Sequence, residues 1–240
     1  MYFLFSGEGS TDMGTGKHNN RICEGDDYEP GPMALLIEQL VTAKKRSSSV
    51  LQGQCGFLPK TALVKRAKPN RPGKKNFMLP GAKTKKDTRY FYSTAYSFGI
   101  TAIEKSQTRG EQVVAVLFRD SDDRKSSGRK EWSDKWDSMI RGFAAAKFDA
   151  GVPMLPKPIS EAWLLCALKE KGPYDNCAAL ERRSPSPKAK RPLKQELNDV
   201  CGGNSSRSNL CALVEQKRVS ADNIDMPSFN AFRERLLEVI

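Results

Sequence analysis

One histidine, His18, serves a chain of 240 residues, and it lies in a glycine-rich stretch with no helical or strand pattern. Catalysis that passes a proton through an imidazole, as in Ser/His/Asp or Cys/His arrangements, cannot be assembled, and histidine-based zinc sites are excluded with it. The six cysteines, Cys23, Cys55, Cys166, Cys177, Cys201 and Cys211, contain no CxxC pair. Their plain reading is buried thiols in a reduced, cytoplasmic protein. No apolar run approaches membrane length, and Met1-Tyr-Phe-Leu-Phe5 is too short for a secretion signal and lacks a basic leader. A soluble chain with no membrane partner is expected. No P-loop or dinucleotide fingerprint follows a strand, so any ATP-driven step would need a separate ATPase or sensor subunit. There is no internal repeat of solenoid period.

Acidic residues are in short supply: 28 Asp and Glu stand against 40 Lys and Arg, which gives a net charge of +12 and a pI near 9.5. A polyanionic partner, DNA or RNA, is the natural complement of such a surface. The imbalance is steepest between Pro59 and Arg89, where eleven cations face one acid, Asp87. Prolines and glycines there argue against a long helix, so the stretch reads as a basic arm after a second strand near Thr61–Val64. Lys74, Lys75, Lys83, Lys85, Lys86 and Arg89 are its candidate nucleic-acid contacts. A solvated loop without a dedicated partner is the competing reading.

The acids that are present cluster where short apolar runs stop. Phe3-Leu-Phe-Ser-Gly-Glu8-Gly-Ser-Thr-Asp12 and Val113-Val-Ala-Val-Leu-Phe-Arg-Asp120-Ser-Asp122-Asp123 both read as buried parallel strands delivering carboxylates to the carboxyl edge of a sheet. Between them, residues 11–31 read as an irregular loop, and Pro32 opens a helix whose Met33, Leu36, Ile37, Leu40 and Val41 repeat with helical period. A helix near Tyr90–Lys105 precedes the second acidic strand, and Trp132, Trp136, Met139, Ile140 and Phe143 mark an amphipathic helix whose aromatics suit a core. A strand near Val152–Leu155 leads to Ser160, a candidate cap for a helix over Ala162–Lys169. Ser184-Pro-Ser-Pro-Lys-Ala-Lys-Arg-Pro192 is a proline-rich basic linker or loop, and Phe229, Phe232, Leu236 and Ile240 mark a last helix.

Gathered carboxylates repel unless a cation sits among them, so a divalent-metal site is the chemical reading. Asp120 and Asp122, two residues apart, can turn towards one Mg²⁺, which takes oxygen ligands; an Asx-rich turn is the alternative. Glu8 between glycines suits a close approach to phosphate or metal better than ordinary turn chemistry. Asp12 fits a second-ion ligand or a helix cap equally. Glu161 opens a helix, where a carboxylate complements the dipole, yet it also stands near the same edge as a metal ligand. Lys157 is a candidate for neutralising charge on a phosphate.

A Gly-Glu-Gly after the first strand and an Asp-x-Asp after a later one resemble the Toprim domain, shared by type IA topoisomerases, bacterial primases and the OLD (overcoming lysogenization defect) nucleases. The resemblance covers about residues 1–170 and implies Glu8, Asp120 and Asp122 as catalytic metal ligands. The wording Glu8-Gly-Ser-Thr-Asp12 is similar to the OLD-like branch, which implies Asp12 in a site for two ions of Mg²⁺ or Mn²⁺. Pro158-Ile-Ser-Glu161-Ala-Trp-Leu-Leu resembles Toprim-related bacterial proteins associated with defence against phage. The interval from Glu8 to Asp120 is longer than in compact Toprim domains. No tyrosine near either motif suits a topoisomerase nucleophile.

The resulting expectation is an α/β, Toprim-like domain over residues 1–170 with a mainly parallel sheet between helices, a basic insertion at about 60–89, and a helical extension over 171–240. The expected activity is metal-dependent cleavage of phosphodiester bonds in DNA or RNA, as the effector of an anti-phage system. A catalytically silent nucleic-acid-binding or regulatory subunit is the alternative, and a small-molecule phosphatase or nucleotide hydrolase is a third class that the basic arm opposes.

Overall fold

The structure is a computed structural model and describes residues 1–9, 11–45, 49–68, 86–122, 130–169 and 177–240. Its described strands are β1 (Tyr2–Gly7), β2 (Gly14–Gly16), β3 (Cys23–Glu24), β4 (Tyr28–Pro30), β5 (Cys55–Pro59), β6 (Val113–Phe118) and β7 (Gly151–Met154). The helices are α1 (Pro32–Lys45), α2 (Lys60–Ala67), α3 (Lys86–Arg109), α4 (Lys130–Ala145), α5 (Ser160–Leu168), α6 (Cys177–Leu180), α7 (Leu193–Val200), α8 (Arg207–Glu215) and α9 (Pro227–Val239). None of the described helices is long and apolar enough to cross a membrane.

The architecture is α/β. Strands β5, β1, β6 and β7 are parallel neighbours in that order, and β3 adds antiparallel to the outer edge of β5. β1, β5, β6 and β7 are buried along their whole length, which is why their sequences run apolar without alternation. Successive residues still serve opposite faces. Phe3, Phe5, Val114 and Val116 pack with α1, α5, α8 and α9, whereas Tyr2, Leu4, Ala115 and Leu117 pack with α2, α3 and α4. α1 carries the chain from β1 outwards to β5 on one face, and α2 and α3 bring it back past β1 to β6 on the other. Strand order therefore reverses between β1 and β6, and a doubly wound sheet opens a crevice at the carboxyl ends there. Glu8 and Asp120 follow those two ends.

The C-terminal helices belong to the same core. Leu193, Leu197, Leu213, Phe229, Phe232 and Leu236 lie in one buried cluster with Phe3, Phe5, Ile37 and Trp163. α5 is apolar on every side because it is enclosed between the sheet and these helices. Its Trp163 is fully buried, packs edge-on against Phe229 at 4.9 Å, and donates its indole N–H to Ser228 Oγ at 2.9 Å.

Several local expectations need correction. The second core strand is Cys55–Pro59, and Thr61–Val64 lies inside α2. Pro59 ends the ladder and leads directly into a helix that buries Ala62, Leu63 and Ala67, so a β-branched pair at 61 and 64 lost to helical burial. The loop over residues 11–31 contains β3 on the main sheet and the small β2–β4 ribbon. Cys166 and Cys177 are a disulfide, not two thiols, whereas Cys23 and Cys55 are buried and free. The amphipathic reading of α4 holds: Met139 and Phe143 are buried, and the two tryptophans stack at 5.3 Å, partly buried against the core.

Candidate functional site

The chain leaving β1 turns at Glu8-Gly9. Gly9 has φ +80°, and a Cβ there would lie 2.5 Å from Asp12 Oδ2, so both backbone and space require glycine. Asp12 is then fixed from behind. Its carbonyl accepts from the Met33 N–H at 3.0 Å in the first turn of α1, and the next carbonyl, of Met13, accepts from Gly31 N–H at 3.1 Å and from the Tyr28 hydroxyl. A Cβ on Gly31 would meet the Asp12 carbonyl at 2.2 Å. The ribbon between residues 14 and 30 thus serves to seat Asp12 against the start of α1.

Past β6 and β7 the two chains run on side by side. Ser121 N–H donates to Pro156 O at 3.2 Å, Asp122 N–H to Pro158 O at 3.0 Å, and Ser121 Oγ to Pro158 O at 3.2 Å. Asp122 has φ 50°, a left-handed conformation that aspartate tolerates better than most side chains. This pairing delivers Ser160 to Asp120. The Ser160 N–H donates to Asp120 Oδ1 at 2.9 Å, its hydroxyl donates to Asp12 Oδ1 at 2.5 Å, and Glu161 Oε2 lies 3.5 Å from the same hydroxyl. Ser160 is not the cap expected of it. Ile159 holds the cap position of α5 without a side-chain bond, and Ser160, as the first helical residue, uses both donors on the acids.

The electrostatic result is a strained cluster. Burial holds the Asp120 carboxyl well above the ordinary aspartate range, and the charges of Asp12, Glu161 and Asp122 push it the same way against the Ser160 N–H. Burial also raises Asp12, to about 6, opposed by the Ser160 hydrogen bond and reinforced by Glu161.

The other expected residues fall into two groups. Glu8, Asp120 and Asp122 line one cleft of about 1020 Å³ with Tyr90, Glu131 and Lys135. Glu8 is turned to Lys60, whose ammonium lies 2.7 Å from Oε2; the β1–β5 register sets Gly7 opposite Pro59 and so makes these two residues neighbours. Glu161 Oε1 lies 3.6 Å from Lys194 Nζ on α7. Lys157 is partly buried beside the cis Pro158, and its side chain makes no ion pair with a described residue. Of the basic arm, Lys74, Lys75, Lys83 and Lys85 lie outside the described residues, as does the side chain of Lys86; Arg89 is half-buried near the start of α3.

Ser160, Lys60 and Lys194 were not singled out from sequence as site residues, because a serine, a lysine in a lysine-rich stretch and a lysine in a distant helix carry no local signal. The donor set, carboxylates without histidine or thiolate, suits Mg²⁺ or Mn²⁺. Among the described residues, however, no three His, Cys, Asp or Glu side chains converge closely enough to hold an ion as they stand. Each acid has its own local partner: Glu8 has Lys60, Asp12 and Asp120 have Ser160, and Glu161 has Lys194. In comparisons with known proteins, no family model matches the chain, and no curated protein or solved structure matches it.

Proposed function

We propose that the chain is a Toprim-like, Mg²⁺- or Mn²⁺-dependent phosphodiesterase that cleaves DNA or RNA. One observation carries the reading: Asp120, its carboxyl raised by burial and then by neighbouring acids, sits at the switch point of a parallel sheet, in a cleft it shares with Glu8 and Asp122. Crowding that many carboxylates costs stability unless a cation relieves it. Glu8, Asp120 and Asp122 would hold the first ion, and Asp12 with Glu161 would serve a second. When bound, the metal would supply an activated water and offset charge on the phosphate. The chain's own residues set the geometry. Ser160 fixes one oxygen each of Asp12 and Asp120, Lys60 would hold Glu8 until an ion replaced it, and the net positive charge draws the polyanion in. Control by ATP would come from a separate subunit.

The test is cleavage of labelled DNA and RNA by the purified chain with Mg²⁺ or Mn²⁺, with EDTA, and with Asp120→Asn. Cleavage that needs the metal and disappears in the variant is expected. Cleavage that persists in chelator, at full rate in Asp120→Asn, refutes the reading. A second reading, a silent nucleic-acid-binding subunit, draws support from the Glu8–Lys60 pair, in which an ammonium already neutralises one expected ligand. Nucleic-acid binding without metal-dependent cleavage would favour it.

A further inference from the structure

The loop between α6 and α7 forms part of the acidic cleft although it comes from the far end of the chain. Ser184, Pro185 and Ser186 line the same cavity as Glu8, Asp120 and Asp122. Over residues 181–194 the sequence carries six cations, Arg182, Arg183, Lys188, Lys190, Arg191 and Lys194, against one acid, Glu181. A charge run is ordinarily a solvated face, but this one has a built form. Leu180 and Leu193 are buried at its two ends. Arg183 ties the loop across its base, pairing with Glu196 at 2.6 Å and donating to the Arg191 carbonyl at 2.5 Å. The Ser184 and Ser186 hydroxyls accept from the N–H groups of Ser186 and Lys188, each at 3.2 Å.

The cations divide accordingly. Arg183 is structural, and Lys194 reaches back to Glu161 at 3.6 Å. Arg182, Lys188 and Lys190 are exposed, with no carboxylate of a described residue within ion-pair distance. Meeting a phosphate therefore breaks no ion pair of these side chains with a described residue, and holding their backbone in advance removes part of the entropic cost of binding.

We propose that the loop over residues 181–194 is a nucleic-acid docking surface that grips the phosphate backbone beside the acidic cleft, with Arg182, Lys188 and Lys190 as its phosphate-binding side chains. The inference rests on the nuclease reading and adds the wall that holds the substrate. It also gives nucleic-acid binding a fixed element, independent of the basic arm at 60–89. Pairing of this kind is to backbone charge, so binding is insensitive to base sequence and falls steeply with salt.

The experiment combines Arg182→Gln, Lys188→Gln and Lys190→Gln in the full chain and follows a fluorescent DNA duplex, a single-stranded RNA, and vesicles rich in phosphatidylserine across a salt series. Expected is an unchanged melting temperature, about tenfold weaker binding to nucleic acid at low salt, and a shallower slope of log K against log salt. The slope should fall by about 0.9 for each duplex phosphate no longer neutralised, or about 0.7 on a single strand. Affinity and slope equal to those of the unsubstituted chain, in a preparation that still cleaves with Mn²⁺, overturn the loop proposal and leave the nuclease reading intact. An unsubstituted chain that neither binds nor cleaves nucleic acid overturns both. Loss of vesicle binding alone, with nucleic-acid binding unchanged, overturns the proposal in favour of a lipid surface.

Discussion

Replacing Asp12 by asparagine should stabilise the metal-free protein at neutral pH. The carboxyl is raised from 3.8 to about 6, chiefly by burial, with Glu161 adding repulsion. A carboxyl that binds its proton more tightly in the folded state than in the unfolded one makes folding less favourable as pH rises between those two values. Above about 6 the penalty is complete, and below about 4 it is absent. At about 1.4 kcal/mol for each pKa unit, the ceiling is about 3 kcal/mol. Asparagine keeps the volume, and its carbonyl oxygen can still accept from the Ser160 hydroxyl, while the Thr11 hydroxyl, 3.2 Å from Oδ2, can rotate to accept from the amide. For a chain of this size about 1 kcal/mol shifts the melting temperature by about 2–4 °C. The gain for Asp12→Asn at that ceiling is therefore about 6–12 °C at pH 7.5 in EDTA, shrinking to nothing near pH 4. Calorimetric scans of both proteins over that range supply the test, and the difference between them cancels the other titrating groups. Mn²⁺ should reverse the order by stabilising the unsubstituted chain more. A variant less stable than its parent at pH 7.5 in EDTA, or a difference that does not change with pH, refutes the reasoning.

If Glu161 holds the proposed second ion, Glu161→Gln should cut turnover by two orders of magnitude or more with partial recovery in Mn²⁺; near-normal turnover with a stability loss of at most about 1 kcal/mol would reduce Glu161 to a partner of the helix dipole. Lys60→Met should tighten Mn²⁺ binding about two- to fivefold by freeing Glu8, since a partly exposed pair of this kind contributes about 0.2–1 kcal/mol. Weaker Mn²⁺ binding, read by the free-ion signal in electron paramagnetic resonance, would show that Lys60 supports the site and does not compete with it.

What the sequence made legible follows from range. β1, α1 and β6 were readable because their signals are local: a continuous apolar run for a buried strand, or a proline followed by helical spacing. That Glu8, Asp120 and Asp122 share one cleft was readable for the same reason, as acids abutting such runs. Residues 55–59 were passed over because Gly56 and Pro59 disguise a short buried strand, and the β-branched residues just beyond it drew the assignment into a helix. Ser160 was misassigned because its two acceptors lie 40 and 148 residues away in the chain. The disulfide was equally hidden, since spacing alone does not decide which of six cysteines meet.

That long-range construction also sets where the unit that carries the acidic edge ends. α5 supplies Ser160 and Glu161, and its residues 162–167 are all buried. Trp163, Leu164 and Leu165 are at most 2% exposed, enclosed with Phe229, Phe232 and Leu236 of α9 and with the leucines of α7 and α8. A chain ending at residue 170 would uncover α5 and the sheet face beneath α9. Full burial of one large apolar side chain contributes about 1.5–3 kcal/mol, so exposing even four or five removes about 10 kcal/mol, comparable with the whole stability of a typical domain. The truncated chain should therefore lack a cooperative melting transition and bind no Mn²⁺ at the acidic edge, even though Glu8, Asp12, Asp120, Asp122 and Glu161 are all retained. Near-ultraviolet circular dichroism and calorimetry of residues 1–170 provide the measurement. A cooperative transition together with Mn²⁺ binding like that of the full chain would show that the sheet and α5 stand alone, and that the four C-terminal helices contribute packing without holding the site.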